Sequence, residues 1–155
     1  MTVQLNSFLL MDGNAKEAID FYKESLEANL LFCQTFGDAP EDPKSPLPEK
    51  LKDLISHAIL KIGETNIMIA DMFPGLQYRN GNNVNICITT NEIDKTNKFY
   101  DLLKQEGQVV MPLKQVHFSP AYAIVTDKFG ITFQIFTARS EEAVKRGHQK
   151  ENKTF

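Results

Sequence analysis

The chain has 155 residues, of which 42% are hydrophobic and 24% are charged, a composition typical of one folded domain and not of a disordered or membrane-spanning chain. Lys and Arg number 17 against 20 Asp and Glu, a net charge of −3, so the charge gives no reason to expect binding to nucleic acid or to an anionic membrane. No apolar run approaches the roughly 18 residues of a membrane span, and the first residues lack the basic stretch of a signal peptide. Cys33 and Cys87 lie in apolar runs, which predicts buried, reduced thiols and a cytoplasmic location.

Hydrophobic periodicity divides the first half of the chain into five elements. They are a strand, a helix and three further strands, at 3–11, 15–27, 30–36, 57–63 and 65–71. Four prolines lie at positions 40, 43, 46 and 48, and because proline removes a backbone donor, this stretch is predicted to be a loop with one helical turn near its end. The segment 73–82 holds Pro-Gly and Asn-Gly pairs, which indicates a turn-rich connector.

The second half repeats the same order of elements. A helix is predicted at 92–106, and strands are predicted at 83–90, 108–113, 121–127 and 131–137. Gly107 is expected to end this helix from the C′ position, and Pro112 suits an edge strand. The charged segment 138–155 is predicted to be a partly disordered tail.

Sequence matches between the halves indicate an internal repeat. Phe21-Tyr22 recurs 78 residues later as Phe99-Tyr100, and the same spacing pairs Ser7 with Asn85. Further along, His57 matches Tyr122 at a spacing of 65, because the proline-rich loop has no counterpart in the second half. We therefore expect two βαβββ modules, 1–72 and 83–137, within one domain.

This order predicts an α+β fold. A single βαβββ module has too little core to stand alone. Two paired modules can form a curved, partly open, barrel-like sheet around a shared cleft, and we expect Ser7 and Asn85 to face that cleft.

At this point the residues resemble the PhnB-like branch of the glyoxalase/bleomycin resistance/extradiol dioxygenase superfamily, also called the vicinal oxygen chelate superfamily. The resemblance spans nearly all of residues 4–136. The matching stretches are FLLMDGNAKEAIDFY, CQTFGDAPEDP, HAILKIGETNIMIADMFPG, GNNVNICI, GQVVMPLKQ and DKFGITFQIF. The branch is also labelled demethylubiquinone methyltransferase, but no Gly-x-Gly occurs in the chain, so the residues do not support a methyltransferase site of the common S-adenosylmethionine type.

The resemblance implies where metal-binding members of the superfamily carry their ligands. Their first-strand ligand falls on Ser7, its repeat mate on Asn85, and their last-strand Glu on Gln134. In the first half the last-strand position lies near Asp71. Ser, Asn and Gln are weak neutral ligands for a transition metal, so we expect no metal and no other cofactor, and instead a polar cluster that orients a small ligand. The alternative is that these side chains bond one another and close a former metal site.

Four other side chains complete the predicted ligand-binding set. His57 is a candidate base or ligand contact, although a purely structural histidine is the alternative. Asp71 is a candidate pocket carboxylate, or it accepts backbone donors in Met72–Gly75. Tyr122, the repeat mate of His57, and Phe118, in the loop before that strand, are expected to line and cap the cleft.

These residues leave three functions open. The first is a protein that binds a small organic molecule in the cleft without a transition metal. The second is a metal-dependent lyase, isomerase or dioxygenase that uses Asp71, and the third is a dimeric regulatory module with a vestigial pocket. Whether the chain is an enzyme is therefore undecided at this point. The resemblance also implies a homodimer, for which loop 37–50 is long enough to reach a partner.

Overall fold

A computed structural model describes residues 2–139 of the chain. Ten elements of regular structure follow the predicted order, with two additional 3₁₀ turns at Phe36–Asp38 and Glu49–Leu51. The helices are α1 (Ala15–Ser25) and α2 (Ile93–Leu103). The strands are β1 (Phe8–Met11), β2 (Asn29–Thr35), β3 (Ile55–Ile62), β4 (Thr65–Asp71), β5 (Ile86–Thr90), β6 (Gln108–Val116), β7 (Ser119–Thr126) and β8 (Thr132–Thr137).

The α+β prediction is confirmed, and the strands form two open four-stranded mixed sheets. The chain divides into two compact units, one over Met1–Asn80 and the other beginning at Gly81. The strand orders are β1-β4-β3-β2 and β5-β8-β7-β6, so both units use one topology. In each unit the first strand is parallel to the last and the remaining pairs are antiparallel. Pro112 lies in β6, an edge strand as predicted.

The first unit buries one face of its sheet under α1. Leu9 and Met11 of β1 are buried on this side together with Ile67 and Ile69 of β4. The helix contributes its own buried stripe, which consists of Ala15, Ala18, Ile19, Tyr22 and Ser25. Side chains alternate along a strand, so the opposite face, here called the first open face, carries Phe8, Leu10, Phe32, His57, Ile59, Met68 and Ala70.

The second unit is built in the same way around α2. Phe133 and Ile135 of β8 and Ala123 and Val125 of β7 are buried, and α2 buries Thr96, Phe99 and Leu103. The opposite side, called the second open face, carries Cys87, Thr89, Tyr122, Ile124, Gln134 and Phe136.

The strand register corrects the pairing of Ser7 with Asn85. Phe8 lies beside Met68 across two parallel strands, and Cys87 lies beside Gln134 in the same way. Both neighbouring pairs lie on the open faces, so Cys87 occupies in the second repeat the position that Phe8 occupies in the first, at a spacing of 79. At the predicted spacing of 78, buried Met11 would match exposed Thr89. A shift of one residue moves a side chain to the other face of a sheet. Asn6, not Ser7, is therefore the position equivalent to Asn85.

The end of α2 also differs from the prediction. Glu106 adopts the left-handed backbone, with a φ of 57°, and Gly107 does not. Gly107 is needed for another reason, because a Cβ at this position would meet the backbone oxygen of Thr126. Because glycine has no Cβ, β6 can begin close to the end of β7.

The burial predicted for the two cysteines is wrong. Cys33 and Cys87 are free and exposed. Cys33 lies on the edge strand β2 and Cys87 on the second open face, whereas the prediction assumed that apolar strands are covered on both sides. No helix within the described residues is long and apolar enough to cross a membrane. Most of the predicted tail, 140–155, lies outside the described residues.

Candidate functional site

A chain of neutral hydrogen bonds joins three of the predicted site residues on the second unit. The Tyr122 hydroxyl donates to Oε1 of Gln134 at 2.9 Å. Nε2 of Gln134 donates to Oδ1 of Asn85 at 3.2 Å, and Nδ2 of Asn85 donates to the backbone oxygen of Asn82 at 3.0 Å. We call these four groups the amide relay.

The strand register explains why the relay forms on the open side of the sheet. Gln134 lies in the middle of β8 between Phe133 and Ile135, both of which are buried against α2. Alternation therefore turns Gln134 to the second open face, where it remains partly exposed. Tyr122 reaches it from β7, and Asn85 directly precedes β5, so three neighbouring strands supply the relay.

Aromatic rings border the relay. Phe118, at the turn between β6 and β7, is 44% exposed and lies edge-on to the Tyr122 ring, with centroids 5.0 Å apart. Phe136 pairs with Tyr122 across the strands, with ring centroids 6.5 Å apart, and His117 lies edge-on to Phe118 at 5.2 Å. Edge-to-face rings are a favoured aromatic geometry, and here they leave Tyr122 only 9% exposed.

His57 lies in a separate aromatic group on the first open face. Its ring stacks with Phe8, with centroids 5.7 Å apart, and tilts against Phe32 at 5.8 Å. Phe8 and Phe32 are themselves 48% and 44% exposed. Leu10 pairs with Ala70 of β4, and alternation along the strands places this small side chain on the same face as Phe8 and His57.

Asp71 has a structural role. It is 3% exposed, and its two carboxylate oxygens accept backbone N–H groups from Ala15 at 2.9 Å and Ile55 at 2.8 Å. Ala15 is the first residue of α1, so the carboxylate fastens the start of that helix and the start of β3 to the end of β4. The alternative of backbone donors was correct in kind, but the donors are not those of Met72–Gly75.

Ser7 contributes through its backbone. Its side chain is exposed, and its carbonyl oxygen accepts the N–H of Met68 at 2.9 Å. Because the register gives Asn6 the position equivalent to Asn85, the repeat supplies no reason to group Ser7 with the relay.

The structure thus brings Asn85, Tyr122, Gln134 and Phe118 together within the second unit. Sequence reasoning did not include the Asn82 carbonyl, Phe136, Phe8 or Phe32. Phe136 could have been found, because it lies two residues after Gln134 and must share its strand face. The Asn82 carbonyl carries no signal in the sequence, since every residue has one.

The residues present do not fit a transition metal at the position implied by the superfamily. Gln134 replaces a carboxylate with a neutral amide whose oxygen already accepts the Tyr122 proton, and the Asn85 oxygen already accepts from Gln134. Transition metals favour imidazole, thiolate or carboxylate ligands. Within residues 2–139, no group of three or more His, Cys, Asp and Glu side chains is arranged to hold a metal ion.

The two open four-stranded sheets, each with one helix, define a protein of the glyoxalase/bleomycin resistance/dioxygenase fold. A glyoxylase/bleomycin resistance protein/dioxygenase domain from Frankia superimposes with a TM-score of 0.63 at 13% identity, over 90% of this chain and 99% of that one. A sequence model of the 3-demethylubiquinone-9 3-methyltransferase family matches residues 3–136. The chain belongs to this family, the PhnB-like branch of the fold, as the sequence motifs predicted.

Individual relatives cover nearly the whole chain. Protein YjdN of Escherichia coli K12 is 26% identical over an aligned length of 144 residues, and the match covers 88% of this chain and 97% of that protein. The structure of protein PA1353 from Pseudomonas aeruginosa has a TM-score of 0.79 at 27% identity and covers 90% of this chain and 100% of its own. The PhnB protein of Bacillus cereus has a TM-score of 0.72 at 20% identity, over 88% and 100% of the two chains. Membership in the family does not by itself assign the activity in its name.

Proposed function

We propose that this PhnB-like protein binds a small, uncharged organic molecule on the second open face, over the amide relay, without a transition metal. The observation that supports the proposal is the relay itself, in which Tyr122, Gln134 and Asn85 bond through neutral groups. Ligand sites commonly combine apolar walls with a few convergent polar groups. Phe118, Phe136 and Ile124 supply apolar surface of this kind beside Gln134.

The first open face adds a second surface to the proposal. Phe8, His57 and Phe32 form a contiguous aromatic group, and exposed apolar groups of this kind on a folded protein mark binding surfaces. His57 is proposed as a ligand contact on this face. A cleft shared by the two open faces remains a prediction from the repeat.

The family name does not lead us to propose methyl transfer. Cofactor sites of the common S-adenosylmethionine type use a glycine-rich turn between a strand and a helix, where the backbone can approach the cofactor closely. Here the turn after β1 is Asp12-Gly13-Asn14 and the turn after β5 is Asn91-Glu92. Neither contains two closely spaced glycines.

We also propose that the protein is a cytoplasmic homodimer. The edge strand β2 exposes Leu30, Leu31 and Phe32 in succession, and an uncovered apolar edge is a site for association with another chain. The two exposed free thiols, Cys33 and Cys87, suit a reducing compartment.

The binding proposal is tested with isotope-labelled protein and a set of uncharged aromatic fragments of one and two rings. Amide chemical shifts are expected to change around Asn85, Phe118, Tyr122 and Gln134. A Gln134→Leu variant removes the relay at nearly constant volume and is expected to weaken binding roughly threefold to tenfold, as loss of a hydrogen bond does. Gln108→Leu, at an exposed position of edge strand β6, is the matched control. Shifts confined to other surfaces would contradict the proposal.

A further inference from the structure

The amide relay can run in only one direction. A backbone carbonyl accepts hydrogen bonds and cannot donate them, so the group of Asn85 that faces the Asn82 oxygen must be its NH₂. The Asn85 oxygen therefore points toward Gln134 and must receive a donor, which is Nε2 of Gln134. One obligate acceptor at the end of the relay thus fixes the orientation of both amides.

The same reasoning fixes the direction in which the hydroxyl hydrogen of Tyr122 points. With its NH₂ turned to Asn85, Gln134 presents Oε1 to the tyrosine, and the hydroxyl must donate to it. A phenol has a single proton. Once that hydrogen is donated to Gln134, the Tyr122 oxygen can take part in a further hydrogen bond only as an acceptor.

The hydrogen-bonding capacity left for a ligand follows from this count. Asn85 and Gln134 each use one amide hydrogen in the relay and keep a second one. An amide hydrogen that a ligand buries without pairing it is costly, so the ligand needs an acceptor at this point. Tyr122 needs the reverse, because its oxygen can be satisfied only by a donor.

We propose that the site selects neutral ligands in which a carbonyl oxygen lies next to an N–H or O–H group, as in an aromatic carboxamide, with Tyr122 as the hydrogen-bond acceptor. This inference rests on the proposed function. The carbonyl oxygen accepts from the free amide hydrogens of Asn85 and Gln134, and the neighbouring N–H donates to the Tyr122 oxygen. An aromatic ring on the ligand suits the rings of Phe118 and Phe136 beside the relay.

Three probes of nearly equal shape separate these requirements. Benzamide has one acceptor next to one donor group, benzoate has acceptors only, and benzamidinium has donors only. Benzoate places an acceptor against the Tyr122 oxygen, and benzamidinium places donors against the amide hydrogens. Each mismatch removes one hydrogen bond, so benzamide is expected to bind roughly threefold to tenfold more tightly than either ion. The measurement is a titration followed by chemical shifts of Asn85, Tyr122 and Gln134.

The relay itself is checked without any ligand. In a Tyr122→Phe variant the ring is kept and the hydroxyl is lost, so the side-chain NH₂ resonances of Gln134 are expected to shift while those of exposed Gln108 do not. The variant is also expected to lose the preference for benzamide over benzoate, because nothing is left that requires a donor. A Gln134 resonance that does not move would show that Tyr122 and Gln134 do not bond in solution, which overturns the relay.

The possible results of the titration distinguish the two proposals. If benzoate or benzamidinium binds the second open face as tightly as benzamide, the ligand class and the preference for uncharged molecules are wrong, and the binding of a small organic molecule at this face stands. If none of the three probes perturbs that face up to its solubility limit while the Gln134 resonances respond to Tyr122→Phe, the binding function fails, and the ligand class fails with it.

Discussion

Asp71 and Thr137 occupy the same position in the two repeats, and each fastens the last strand of its unit to neighbouring elements. Met68 and Gln134 are equivalent through the open-face register, which makes position 137 the mate of position 71. Asp71 does this with a carboxylate that accepts two backbone donors. Thr137 does it with a hydroxyl that bonds Thr96 of α2 at 2.7 Å. One structural task is thus performed by a charged group in the first unit and by neutral groups in the second.

The first prediction concerns Asp71. Asp71→Ala leaves the N–H groups of Ala15 and Ile55 buried without an acceptor, at about 1–3 kcal/mol for each unpaired donor. Asp71→Asn keeps one carbonyl oxygen and is expected to lose less stability. Urea unfolding of the full chain measures both, with exposed Asp12→Ala as the control. Equal stability of the Asp71→Ala and Asp12→Ala variants would remove the structural role assigned to this carboxylate.

The second prediction concerns the threonine group of the second unit. Thr96 is fully buried, and its hydroxyl bonds those of Thr90 at 2.8 Å and Thr137 at 2.7 Å. Thr96→Val keeps the shape and leaves these partners with fewer hydrogen bonds, so we expect a loss of about 1–3 kcal/mol. Thr89→Val, at an exposed position of the same strand as Thr90, is expected to be nearly neutral in the same denaturation experiment. A neutral result for Thr96→Val would show that water replaces the lost bonds.

The third prediction concerns the close approach at Gly107. Gly107→Ala places a methyl group against the backbone oxygen of Thr126, which forces β6 and β7 apart and is expected to cost about 1–3 kcal/mol, as overpacking does. Gly81→Ala is a matched control, because its Cβ would meet only the Asn83 side chain at an ordinary 3.7 Å. Thermal unfolding is the measurement, and a Tm for Gly107→Ala equal to that of the control contradicts the steric argument.

The fourth prediction tests the geometry of the relay with a metal. Asn85 and Gln134 bond each other at 3.2 Å, and Cys87 pairs directly with Gln134, so Asn85→His combined with Gln134→Glu brings imidazole, carboxylate and thiol together. Such ligands suit zinc, and we expect affinity at least about tenfold above that of the unmodified chain by calorimetry. Adding Cys87→Ser is expected to reduce this gain. The absence of any zinc uptake would show that the three positions do not converge.

The fifth prediction concerns association through β2. Leu31 is 55% exposed on this edge strand, and Leu31→Lys places a charge on an apolar edge, which opposes pairing with another chain. We expect sedimentation to show a dimer for the unmodified protein and a larger monomer fraction for the variant. Val84→Lys, at an exposed position outside the strands, is the control. A monomer at all concentrations for the unmodified chain rules the dimer out.

The order of elements could be predicted from the sequence because each has a clear period or a clear end. The turns at Gly63-Glu64 and the prolines of the long loop separate β2, β3 and β4 without ambiguity. The register of β1 could not be predicted. FLLM is continuously apolar, so nothing in it distinguishes the buried Leu9 and Met11 from the exposed Phe8 and Leu10. The spacing between the first strands of the two repeats was therefore taken from the alignment of the helices, which made it one residue too short.

The site was predicted where strand position decides it and missed where backbone groups decide it. Gln134 was predicted from the position of a superfamily ligand and Tyr122 from its match to His57, and the register of β7 and β8 brings the two side chains to one face. The acceptor that orients them is the carbonyl of Asn82 in a segment without regular structure. Acceptance of backbone donors by Asp71 was one of the two predicted alternatives, but the donors themselves could not be predicted, since they are the N–H groups of two residues that are distant in sequence.

The fixed direction of the amide relay constrains which single substitutions this chain can accept at Asn85 and Gln134. Gln134→Glu alone would set a carboxylate against the Asn85 oxygen, which cannot turn away because its own NH₂ is held by the Asn82 carbonyl. Asn85→Asp alone would set a carboxylate against that carbonyl. Each single substitution toward an acidic, metal-binding site is therefore unfavourable in this chain, and the change from a neutral to an acidic site requires both positions to be replaced together.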